Sequence, residues 1–100
     1  MRWKATERAI AKAIGGERVP ITGRQRGSAP DIAHPLFSIE VKDRDHLPAW
    51  MHEAMSQAVS SIRGDQLPVV ILHEKGMEHA DDFCVMRLGD WKKVYLGGGE

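Results

Sequence analysis

Pro30-Asp31-Ile32-Ala33-His34-Pro35-Leu36-Phe37-Ser38-Ile39-Glu40-Val41-Lys42 is the stretch whose reading decides the fold of this chain. Its second half, Phe37 to Lys42, alternates apolar and polar residues with period two, the pattern of a strand with two different faces. Ser38, Glu40 and Lys42 share one face, while Ile39 and Val41 point into the core. If His34-Pro35-Leu36-Phe37 makes a turn, Asp31 falls opposite Glu40 or diagonally next to it. Proline cannot adopt the positive φ of the tightest hairpin turns, so the register is open by one residue. Two carboxylates side by side across strands repel each other. A divalent cation between them relieves the repulsion, and hard oxygen ligands suit Mg²⁺ or Mn²⁺. The polar face thus presents two acids and one lysine, a set suited to a phosphodiester.

Outward from this hairpin the spacing predicts a short series of elements. Ala9, Ile10, Ala13 and Ile14 recur at helical spacing from Lys4 or Thr6 onward, stopped by Gly15-Gly16. Arg18 to Ile21 is a short strand, followed by a polar loop from Thr22 to Ser28. Pro48 suits the first turn of a helix running to about Arg63 and ended by Gly64. Trp50, Met51, Ala54, Met55, Ala58, Val59 and Ile62 trace one apolar stripe on it. Leu67 to Leu72 reads as a buried central strand and Phe83 to Leu88 as another. Trp91 to Leu96 is a short terminal element. The order α-β-β-β-α-β-β predicts an α/β fold with a mixed central sheet flanked by helices.

The 100 residues suffice for one core, and 42% hydrophobic with 28% charged residues is an ordinary globular balance. We expect one domain over residues 1–96 and a flexible tail at 97–100. No apolar run approaches the ~20 residues that span a bilayer, and the N-terminus has no uninterrupted apolar stretch of a secretory signal. With Cys84 alone, neither an intramolecular disulfide nor an all-cysteine zinc site is possible. The expectation is a soluble, cytoplasmic protein with no membrane partner. The formal net charge of zero conceals an asymmetry. Residues 1–28 carry seven basic side chains against two acidic ones, a balance of +5, and the remainder carries −5. A basic N-terminal third can offer a face to phosphates.

Pro30-Asp31, eight intervening residues and Glu40-Val41-Lys42 together resemble the signature of the PD-(D/E)XK nuclease superfamily. The element order is similar as well: a leading helix with an acid (Glu7), the hairpin with the motif, a crossover helix with a polar residue (Gln57) and a buried strand. The loop from Arg24 to Asp31 further resembles archaeal-type Holliday junction resolvases and their phage relatives, in which a glycine- and serine-bearing loop precedes the metal-binding aspartate. The likeness extends over residues 5–75. It implies a restriction-endonuclease-like core and a Mg²⁺-dependent endonuclease, with Mn²⁺ as a substitute. Asp31 and Glu40 would hold the metal, with the Val41 carbonyl as a further ligand and Glu7 reaching it directly or through water. Lys42 would contact the attacking water or the scissile phosphate. Ser28, Gln57, Arg24 and Arg26 would face the nucleic acid.

A chain of this size has no spare domain for reading bases, so recognition would rest on backbone charge and DNA shape. Branched double-stranded DNA is the expected partner. Two opposed incisions in a four-way junction call for a homodimer, with Phe83, Met86, Trp91 and Tyr95 ahead of the 48–62 helix as its surface. The alternatives are a nicking or flap-type repair nuclease of the same superfamily, a non-catalytic DNA-binding module, and an interaction protein. Each site residue also has a plainer role: Lys42 as an ion-pair partner of Glu40 or Asp43, Glu7 as that of Arg8 or Lys4. His73, His79 and Cys84, scattered around an acidic glycine-containing turn, read as solvated.

Overall fold

Helix α1 (Arg2–Ile14) buries Glu7, Ala11 and Ile14, positions that a 3.6-residue period stacks on one face. Gly15 ends it at φ 76°, and the Gly16 N–H returns to the Ala11 carbonyl at 2.9 Å. This is the six-residue closure of a Schellman cap. Gly16 is also required by packing, because a Cβ there would lie 2.6 Å from the Ala33 carbonyl oxygen. The chain then enters β1 (Glu17–Arg18), which pairs antiparallel with β2 (Ile32–Ala33). Ile32, fully buried, is the core residue of this ladder, alongside Ala11 and Ile14 of the helix.

The computed structural model describes residues 2–20 and 29–95. They form a small α/β protein with three α-helices and two two-stranded antiparallel sheets. The chain divides into two compact units, Met1–Asp45 and His46–Glu100. The second unit carries α2 (Ala49–Ser60), β3 (Val70–Leu72), a 3₁₀ turn (His79–Asp81), β4 (Phe83–Val85) and α3 (Leu88–Tyr95). In it β3 and β4 are antiparallel, Val70 opposite Val85 and Leu72 opposite Phe83. Among the described residues no helix is long and apolar enough to cross a membrane.

Several expectations are corrected. All strand pairings among the described residues are antiparallel and fall into two ladders, where a single mixed sheet was expected. The strand expected over 37–42 shrinks to one bridge, Ile39 opposite Ile32. Its cause is local: the Asp31 and Ile32 N–H groups both donate to the Ile39 carbonyl, at 2.9 and 3.3 Å. Two residues facing one is the arrangement of a β-bulge, which interrupts a ladder and lets consecutive residues be buried together. Asp31 and Ile32 are both buried. The strand expected to be central, Leu67 to Leu72, is confined to β3, which among the described residues pairs with β4, and Ile71 on it is 59% exposed. The terminal element is a helix, α3, starting at Leu88. On α1, Ala9 and Ala13 face solvent, while Ala11, not counted in the apolar pattern, is buried. The apolar stripe of α2 contains no buried residue, and Trp50 on it is exposed.

Candidate functional site

Asp31 is tied to the chain on both sides. Its carbonyl accepts the Val19 N–H at 2.9 Å, and its own N–H donates to Ile39. Its carboxylate, 7% exposed, accepts the Val41 N–H through Oδ2 at 2.7 Å. A side chain thus takes the place of a backbone acceptor at Val41, which is the second reason that no regular strand continues through 37–42. Because Asp31 and Ile32 both face Ile39, Glu40 is the residue next to the one that Asp31 faces. Glu40 and Lys42 are both exposed and Val41 between them is half-buried, so the expected alternation survives without the ladder. Lys42 pairs with neither Glu40 nor Asp43 among the described residues.

Asp43 is held by the start of α1. The Thr6 hydroxyl donates to its Oδ2 at 2.7 Å, and Arg2 reaches its Oδ1 at 3.1 Å and Asp45 at 2.7 Å. Residues 2 and 6 lie one turn apart on a helix face, so both reach the same segment. The Thr6 hydroxyl foremost, then the Arg2 guanidinium, holds the Asp43 carboxyl below its ordinary range against the opposing effect of partial burial. Reciprocally, the hydrogen bonds to Asp45 and then Asp43 raise the pKa of Arg2. The stretch Glu40-Val41-Lys42 is therefore anchored at both ends, by Asp31 before it and by α1 after it.

Glu7 takes a partner that the sequence reading did not name. Arg18 Nε donates to Glu7 Oε1 at 2.7 Å, and the two side chains are 15% and 5% exposed. The Arg18 guanidinium also lies 5.6 Å from the centre of the Trp3 ring, within reach of a cation–π attraction. Arg18 Nη2 is buried without a hydrogen-bond partner among the described residues. The place of Glu7 on the Ala11–Ile14 stripe was a readable signal that this acid goes inside and needs a cation. The ligand oxygens of Glu7, Asp31 and Glu40 do not all lie within 4.8 Å of one another. Asp31, Glu40 and the Val41 carbonyl are all oxygen donors, the ligand type Mg²⁺ takes.

Gln57 is exposed on α2, in the second unit. Arg24, Arg26 and Ser28 lie outside the described residues. Elsewhere the structure gathers what the sequence left scattered: His73, His79 and Asp82 offer ligand atoms all within 4.8 Å of one another. Cys84 is exposed and does not belong to this group. No family model, curated protein or solved structure matches the chain.

Proposed function

We propose that this chain is a metal-dependent, structure-selective DNA endonuclease with a restriction-endonuclease-like core, acting on branched double-stranded DNA of the Holliday junction class. The observation that carries the reading is the buried Asp31 carboxylate seated on the Val41 N–H, beside exposed Glu40 and an exposed Lys42. Asp31, Glu40 and the Val41 carbonyl would hold Mg²⁺ or Mn²⁺. Glu7, whose Oε1 is held by Arg18, would join them directly or through water. A bound hard cation supplies a water of lowered pKa and polarises a phosphoryl oxygen. Lys42 places its ammonium beside the scissile phosphate, where negative charge grows in the transition state. Arg24 and Arg26, from the basic N-terminal third, contribute phosphate contacts that orient the duplex without reading bases. A homodimer delivers paired incisions.

The test is incubation of labelled four-way junction, flap, duplex and single-stranded DNA with Mg²⁺, Mn²⁺ or EDTA. Cleavage of a branched substrate that EDTA and Asp31→Asn both abolish supports the reading. Absence of cleavage on every substrate overturns it. One observation favours a second reading, a non-catalytic DNA-binding module: Glu7 is spent on a buried ion pair with Arg18. Junction binding without metal-dependent cleavage is its signature.

A further inference from the structure

The turn joining β3 to β4 brings three metal-ligating side chains together for reasons of backbone geometry. Leu72 and Phe83 form the last rung of the ladder, so the next rung outward sets His73 across from Asp82. His79 opens the 3₁₀ turn that ends at Asp81, and in such a turn residues three apart eclipse. That places His79 over Asp82 from the other side. The Asp82 carboxylate accordingly lies between both rings, Oδ1 2.7 Å from His73 Nδ1 and Oδ2 3.1 Å from His79 Nδ1. The imidazoles themselves are 4.6 Å apart between centroids, inclined by 36°.

The loop is held in this shape by its own backbone. The Met77 N–H donates to Glu74, Asp81 to Glu78 and Asp82 to His79, at 2.9, 2.9 and 3.1 Å. Gly76 supplies the positive φ of 91° that the reversal requires. The carboxylate is 10% exposed, while the His73 and His79 side chains are 40% and 84% exposed. The anionic end is therefore sheltered and the imidazole side open to solution, as an ion arriving from water requires.

We propose that His73, His79 and Asp82 bind one divalent transition-metal ion of the Zn²⁺ class, through both Nδ1 atoms and a carboxylate oxygen. Donors around a tetrahedral Zn²⁺ at ~2.0–2.1 Å lie roughly 3.3 Å apart. His73 Nδ1 lies 2.7 Å from Oδ1 and His79 Nδ1 lies 3.1 Å from Oδ2, so these gaps open by roughly 0.6 and 0.2 Å to admit the ion. Two imidazoles and one carboxylate favour Zn²⁺, Ni²⁺ or Cu²⁺ over Mg²⁺, whose preferred donors are oxygens. Three protein ligands leave a fourth position for water or an external group. Glu74, Glu78 and Asp81, all exposed in the same loop, add a negative field that draws a cation in. This site lies within the second unit and is independent of the nuclease reading of the first.

The experiment is a titration of the full chain with ZnCl₂, followed by calorimetry and by the ring ¹⁵N resonances of its histidines, with MgCl₂ as the control. The expected result is saturation at one Zn²⁺ per chain, with shifts at His73 and His79 Nδ1 and none of comparable size at His34, His46 or His52. His79→Ala changes the most exposed ligand, so it leaves folding intact and should weaken binding at least about tenfold. Asp82→Asn should do the same, while Mg²⁺ at large excess should neither bind nor compete. Absence of saturable Zn²⁺ binding overturns the proposal. So does binding whose affinity is unchanged in His79→Ala, or shifts confined to the other three histidines.

Discussion

Arg18 on β1 donates through Nε to Glu7 on α1 at 2.7 Å, with both side chains almost wholly out of solvent. An ion pair of this kind is costly to break from one side, because the remaining charge is left buried. Arg18→Met should therefore destabilise the chain by about 3–5 kcal/mol, measured by urea denaturation. Glu7→Leu with Arg18→Met should recover much of that loss, since neither charge of the buried pair remains. A double variant no more stable than Arg18→Met would show that the pair is not the source of the effect.

Asp31→Asn keeps an oxygen that can accept the Val41 N–H, so its thermal midpoint should remain near wild type while metal-dependent cleavage is lost. Asp31→Ala leaves that N–H without its acceptor and should cost a further ~1–3 kcal/mol. Glu40→Gln, at an exposed position, should abolish cleavage with a stability change within about 0.5 kcal/mol. Full cleavage by Asp31→Asn and Glu40→Gln would remove both residues from the metal site.

Asp43 provides a pH signature. Its carboxyl is held down chiefly by the Thr6 hydroxyl, so folding favours its ionised form. That stabilisation is complete above the ordinary carboxylate value of about 4 and is lost as pH falls through the lowered value of the folded chain. Thr6→Val should raise the Asp43 pKa and move the acid-unfolding midpoint to higher pH. The Asp43 carboxyl resonance followed through an NMR titration checks this; an identical curve in the variant would contradict it.

Neutralising Arg24 and Arg26 together should weaken junction binding and flatten its salt dependence by up to about two phosphate contacts. Binding isotherms across a range of KCl concentrations read the slope directly. An unchanged slope would mean that neither arginine meets a phosphate.

Val94 and Tyr95 are 52% and 57% exposed on α3, whereas Trp91 on the same helix is half-buried. Val94→Glu is therefore the cleaner test of the proposed dimer surface, because it leaves the Trp91–Tyr95 ring contact of 6.1 Å in place. Light scattering at micromolar concentration should give twice the chain mass for wild type and less for Val94→Glu. Monomeric wild type bound to a junction would rule the dimer out.

The sequence by itself determined what local backbone physics decides. Spacing and Gly15-Gly16 placed the first helix and its end, and period two marked Glu40 and Lys42 as sharing a face, whereas the second helix stops at Ser60, short of the end expected at Arg63. The meeting of Asp31 with the 39–41 segment was legible too, because hairpin register depends on few residues. What tertiary structure alone decided is which group meets which. The bulge at Asp31-Ile32 turned Asp31 inward and gave the Val41 N–H a carboxylate in place of a ladder partner. Packing of α1 on β1 matched Glu7 to Arg18, eleven residues on, rather than to a neighbour on its own helix. His73, His79 and Asp82 converge through the combined register of a two-stranded ladder and a 3₁₀ turn, and no spacing rule in the chain announces it. Periodicity is a property of one element, whereas the partner of a side chain depends on where a second element comes to rest.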